Sequence, residues 1–148
     1  MEIEDLLNAF AKEIEKREKD NIGLFTGMSG FALYELTYGI YFQHDRYISI
    51  GLSFLDKVLQ KVNKEKVIDS LCSGIAGVGW LLNYIKEECW DICDNIDPIL
   101  NEIDDYLILR LNKYLSINYW DYLHGYIGIR EYFLTRINHN PKILNSLF

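Results

Sequence analysis

The chain has 148 residues, of which 49% are hydrophobic and 25% are charged, and its formal net charge is -7. This length and hydrophobic content fit a single folded domain with a sizeable core and exclude a disordered chain. The negative charge argues against nucleic acid and against anionic membrane surfaces as partners.

The sequence also indicates in which cellular compartment the protein is located. No run of about 18 or more uncharged apolar residues is present, so no membrane span is expected. The first five residues, Met1 to Asp5, are acidic, whereas a signal peptide begins with positive charge. We therefore predict a cytoplasmic protein.

The predicted elements are helices of two alternating kinds. Amphipathic stripes run from Ile3 to about Asp20, over residues 48–62 and over residues 96–114, each with a charged opposite face. Between them lie helices that are apolar on nearly all sides, which start near Met28, Ile75 and Tyr126. No period-2 pattern indicates a strand.

A glycine phrase precedes each apolar helix. Its copies occupy residues 23–30, 70–77 and 121–128, at intervals of about 50 residues, and the paired glycines are Gly27 and Gly30, Gly74 and Gly77, and Gly125 and Gly128. We expect the first glycine of each pair to adopt a backbone conformation that other residues avoid. The second should remove a side chain where neighbouring helices approach.

The alternation predicts an all-α fold. The amphipathic helices would form an outer layer with one wet face, and the apolar helices would form an inner layer. We expect about three helix pairs in one repeat domain over residues 1–148, arranged as a curved or closed α/α structure.

The cysteines predict no disulfide framework, because their number is odd: Cys72, Cys89 and Cys93. Cys89 and Cys93 are spaced to share one helix face, but a zinc site needs further ligands and no second close Cys/His pair exists. We interpret the cysteines as structural, since free cysteine packs as a small hydrophobe.

The glycine phrases, together with Trp120-Asp121-Tyr122-Leu123-His124-Gly125, resemble the lanthionine synthetase C-like family. That resemblance covers residues 20–136 and implies part of an α/α toroid of seven helix pairs. The implied activity is zinc-assisted ring closure in a precursor peptide, in which a cysteine thiolate adds to a dehydrated Ser or Thr.

The resemblance carries few site residues to this chain. The family's zinc ligands lie in a Cys-Gly and a Cys-His-Gly phrase, and neither is present: Cys72 stands two residues before Gly74, and Leu123 precedes His124. We assign no metal ligand, so zinc is expected only for a complete family member. Asp121 resembles an active-site acid, with a helix N-terminal cap as the alternative. His124 is the candidate general acid or base.

A further amphipathic stripe begins at Asn140-Pro141 and runs for about two helical turns to the last residue. We interpret this as the N-terminal part of a longer toroid, inactive by itself, or as an open end that a second copy covers.

One alternative function is that of a non-catalytic helical scaffold that binds a peptide or forms a homo-oligomer. Another is a carbohydrate-active toroid, which would need paired carboxylates. The inner helices offer only unmatched ones: Glu35, Glu87, Glu88 and Glu131.

Overall fold

The computed structural model describes residues 3–17, 20–88, 92 and 95–147, and these contain helices but no strand. The all-α prediction is therefore confirmed. The chain divides into two compact units, Met1–Glu65 and Lys66–Phe148. The helices are α1 (Ile3–Ile14), α2 (Met28–Phe42), α3 (Asp45–Lys64), α4 (Ile75–Glu87), α5 (Ile96–Ser116), α6 (Tyr126–Arg136) and α7 (Pro141–Leu147).

In the first unit, the apolar helix α2 packs against α1 and α3. Tyr38 and Tyr47 form a buried cluster with Ala11, in which the two tyrosine rings meet edge to face at 5.0 Å. The Tyr34 hydroxyl donates a hydrogen bond to the Leu7 carbonyl at 2.7 Å, which joins α2 to α1. The predicted amphipathic helix over residues 48–62 is present as α3.

In the second unit, α4 is the most buried helix, and it packs against α5 and α6. An added Cβ at Gly79 would lie 2.7 Å from the Tyr132 ring, so glycine permits the close approach of α4 and α6. Arg136 and Asp104 form a buried ion pair at 2.9 Å, and Asn140 also donates to Asp104 at 3.0 Å. This polar network joins α5 to the end of α6.

The three glycine phrases form corners with a common backbone pattern. The N–H of Gly27, Gly74 and Gly125 each donates to the carbonyl four residues earlier. The next N–H in each corner donates to the carbonyl seven residues earlier: Met28 to Asn21, Ile75 to Ile68, and Tyr126 to Tyr119. The repeat seen in the sequence is thus a repeat of local structure.

The conformational reason expected for the first glycine of each pair was wrong. Gly74 and Gly125 are extended, with φ of -130° and -118°, and no described glycine has positive φ. An added Cβ at Gly74 would instead lie 2.1 Å from the Ile68 carbonyl oxygen. At Gly128 it would lie 2.2 Å from the Tyr122 carbonyl oxygen, so the closest obstacle at both positions is the corner's own backbone.

Two helix ends test the sequence analysis further. The first helix ends at Ile14 rather than near Asp20, because the Lys16 and Arg17 N–H groups bond to carbonyls three residues back and tighten the chain. The predicted start of α7 is confirmed, since Asn140 Oδ1 accepts the Lys142 N–H at 3.1 Å.

The described helices include none with the length and apolar character that a membrane crossing requires. Cys89, Cys93 and Phe148 lie outside the described residues, so the interpretations placed on them stay predictions.

Candidate functional site

Within the second unit, the corner over residues 68–77 contacts the corner over residues 119–128. The Cys72 N–H donates to the Leu123 carbonyl at 3.2 Å. An added Cβ at Gly128 would lie 3.1 Å from Leu71 Cβ, so the absence of a side chain there lets the two corners approach. Residues in the same part of two repeats are thereby brought side by side.

This contact assembles a cysteine, a histidine and a carboxylate. Cys72 Sγ lies 3.2 Å from His124 Nε2, and His124 Nδ1 lies 3.3 Å from Asp121 Oδ1. Each ring nitrogen of His124 therefore has its own neighbour, a thiol on one side and a carboxylate on the other. We call these three residues the thiol–imidazole cluster.

Asp121 is fixed by the backbone as well as by the imidazole. Its Oδ1 accepts the His124 N–H at 2.6 Å. That bond lowers the pKa of Asp121, and a backbone bond from Leu123 and the His124 side chain lower it further. The N-cap of α6 is Gly125, which has no side chain to accept a helix N–H, and Asp121 accepts the N–H of His124, so Asp121 caps the turn ahead of the helix and not the helix itself. A carboxylate held in this way can orient the imidazole.

The cysteine side of the cluster is anchored by Asp69. This buried carboxylate accepts hydrogen bonds from the Tyr106 hydroxyl at 2.6 Å, from Arg110 Nε at 2.7 Å and from the Tyr114 hydroxyl at 3.0 Å. Burial and Asp69 together raise the pKa of Tyr114 to about 12. Three donors from α5 thus hold the backbone three residues before Cys72.

The third corner also exposes apolar side chains at positions next to Asp121 and His124 in the sequence. Trp120, Tyr122 and Leu123 are 48%, 51% and 36% exposed. Side chains of this kind are well suited to contact an extended peptide, since rigid aromatic rings lose little entropy when they become ordered.

The structure brings together the two predicted site residues, Asp121 and His124, and adds Cys72, which sequence reasoning treated as structural. The signal for Cys72 was its place: it sits in the second glycine phrase one position away from the equivalent of His124 in the third. Asp69 was also missed, although it is the only charged residue between positions 67 and 85.

A separate feature of the first unit is the buried carboxylate of Glu35. The residue is fully buried, and neither carboxylate oxygen has a hydrogen-bond partner. Burial raises the pKa of Glu35 to about 7, with a further rise from Glu15 and an opposing effect of Arg46. Arg46 Nη2 lies 3.0 Å from both Glu15 carboxylate oxygens, so its own hydrogen bonds go to Glu15.

The donor groups of the described residues do not suit a metal ion. Within the described ranges, no group of three or more His, Cys, Asp or Glu side chains is arranged to hold a metal ion. In the thiol–imidazole cluster only Cys72 and the Nε2 of His124 face each other, because Asp121 contacts the opposite ring nitrogen. Two donors fall short of the three or four that a zinc site uses.

Compared with protein-family models and with curated proteins, the chain matches none of them. The resemblance to the lanthionine synthetase C-like family that the glycine phrases and the residues around Asp121 suggest therefore stays a prediction.

Proposed function

We propose that this chain is part of a peptide-modifying protein similar to the lanthionine cyclases, built as an α/α toroid and active in the cytoplasm. The observation that supports a chemical role most directly is the position of His124 between the Asp121 carboxylate and a thiol. Support for the likeness comes from the three corners, which share one backbone pattern ahead of three apolar helices.

The chemistry of ring closure requires a proton to move twice. A peptide thiol loses its proton as sulfur adds to the β-carbon of a dehydrated Ser or Thr, and the α-carbon then gains one. An imidazole can accept the first proton and return the second. Asp121 holds the Nδ1 side of His124, and Nε2 lies 3.2 Å from Cys72 Sγ, so a peptide thiol would take the place of Cys72 beside Nε2.

Zinc in the related cyclases would hold and activate the thiolate. The residues described here do not fit a zinc site, because only Cys72 and the Nε2 of His124 face each other. We expect the zinc of a complete cyclase to be held by residues outside those described, and this chain alone to bind peptide without closing a ring.

The test is peptide binding, measured by fluorescence anisotropy with three labelled peptides. One carries a dehydroalanine and a cysteine, the second has serine in place of the cysteine, and the third has alanine in place of the dehydroalanine. We expect the first to bind most tightly and W120A, which removes an exposed ring next to Asp121 in the sequence, to weaken it. Equal affinity for all three, or no binding, would contradict the proposal.

A second candidate is a non-catalytic scaffold that associates with a second copy of the chain. The first unit has an apolar groove between α1 and α2, lined by Ile3, Leu7, Tyr34, Tyr38, Tyr41 and Phe42. Ile3 and Tyr41 are each 78% exposed. Association through this groove predicts a dimer in light scattering that Y41E dissociates, whereas a monomer at every concentration would exclude this candidate.

A further inference from the structure

We propose that Cys72 is itself a nucleophile that exchanges with small disulfides, with His124 as its base and Asp121 as the positioning residue. This activity goes beyond the proposed function and does not depend on it. It would make Cys72 a site of reversible mixed-disulfide formation with a low-molecular-weight disulfide of the glutathione type.

The geometry gives Cys72 what a reactive thiol needs. Its Sγ lies within hydrogen-bond distance of His124 Nε2, and the Ser73 hydroxyl lies 3.4 Å from the same sulfur. The residue is half-buried, so a small reagent can reach it. Since the thiolate is the attacking form, a neighbouring imidazole that accepts the proton increases reactivity.

The backbone around Cys72 selects the kind of electrophile. Attack on an ester or amide creates an oxyanion, which backbone N–H groups normally stabilise. Here the Cys72 N–H donates to Leu123, the Ser73 N–H to Ser70 Oγ and the Gly74 N–H to the Ser70 carbonyl. These donors are all engaged, so the corner offers none of them to an oxyanion. Disulfide exchange forms no oxyanion, and the cluster suits it better.

The step balances without a further reactant. His124 takes the Cys72 proton, and the thiolate attacks one sulfur of the disulfide. A bond forms between Cys72 Sγ and that sulfur while the original S–S bond breaks. The leaving thiolate then receives the proton from the imidazolium. The disulfide is reduced to one free thiol and Cys72 is oxidised to the mixed disulfide.

The experiment follows mixed-disulfide formation at Cys72 when the reduced chain meets oxidised glutathione at pH 7, resolved by peptide mass spectrometry. We expect H124Q to slow the reaction about tenfold, because an ordinary thiol is only a few per cent thiolate at this pH. H139Q is the matched control, since His139 contacts Glu87 instead, and it should react as the wild type does.

The role of the Asp121 charge is tested by two substitutions, one that removes it and one that keeps it. D121N keeps an oxygen for the His124 N–H, and we expect exchange to slow several-fold while D121E restores part of the rate. A second comparison uses only the wild-type chain, so it does not depend on whether a variant folds. Cys72 in the folded chain should exchange faster than Cys72 in the chain unfolded by urea, although it is half-buried when folded. The proposal fails if H124Q reacts at the wild-type rate, or if the native thiol is the slower one.

Discussion

Cys72 and His124 are 52 residues apart in the sequence, yet Cys72 Sγ lies 3.2 Å from His124 Nε2. The contact exists because both residues belong to glycine corners with the same backbone pattern, and the two corners bond to each other through the Cys72 N–H and the Leu123 carbonyl. A repeat that serves packing therefore also places a thiol against an imidazole.

The corner glycines can be tested by substitution with alanine. An added Cβ would lie 2.1 Å from the Ile68 carbonyl oxygen at Gly74, but 2.7 Å from the Tyr119 carbonyl oxygen at Gly125. We expect G74A to lower the free energy of unfolding by about 3 kcal/mol and G125A by about 1 kcal/mol, because the tighter contact forces a larger backbone shift. The measurement is urea unfolding followed by circular dichroism, and an unchanged or higher stability of G74A would contradict the steric account.

The Asp69 anchor predicts a graded loss of stability. D69N removes the charge that accepts from Arg110 and two tyrosines, and we expect it to lower the free energy of unfolding by about 2 kcal/mol. Y114F removes one of those hydrogen bonds and should cost about 1 kcal/mol. The free energies of unfolding of D69N, Y114F and the wild type, measured under the same conditions, check this order. Equal stability of D69N and wild type would show that Asp69 does not anchor the corner.

Glu35 predicts a pH dependence with a definite sign. Burial raises its pKa from the ordinary value of 4.5 to about 7, so the folded chain binds more protons than the unfolded chain between these values. Its contribution to stability is therefore largest at low pH and decreases as the pH rises toward about 7. The groups that act with it are Glu15 just after α1, Arg46 and Tyr47 on α3, and Tyr34 and Tyr38 on α2.

The variant E35Q isolates this effect, because glutamine stays neutral. We expect E35Q to be more stable than the wild type by about 3 kcal/mol at pH 8, from a shift of about 2.5 pKa units at about 1.4 kcal/mol each, and nearly equal to it at pH 4.5. E13Q is a control at an exposed position of α1. A difference between E35Q and wild type that is the same at both pH values would contradict the assignment.

The elements that follow from periodicity could be predicted from the sequence. The starts of α2 and α7 agree with the structure, because apolar spacing and a Pro after a capping Asn act locally. The end of α1 could not be predicted, since the tightening after Ile14 depends on backbone bonds that no residue pattern marks.

The site was only partly predictable for a related reason. Asp121 and His124 are close in sequence, and their pairing is a local turn. Cys72 joins them through the packing of one corner on another, and Asp69 joins α5 through side chains 37 to 45 residues away. The burial of Glu35 is likewise a tertiary effect, since a single glutamate in an apolar helix can face either solvent or the core.

The arrangement of the thiol–imidazole cluster is tested most directly by nitrogen NMR of the histidine rings. We expect C72S to shift the Nε2 resonance of His124 and D121N to shift its Nδ1 resonance, while the ring resonances of His139 stay unchanged in both variants. His124 resonances that are identical in wild type, C72S and D121N would contradict the assembly of the cluster from the two corners.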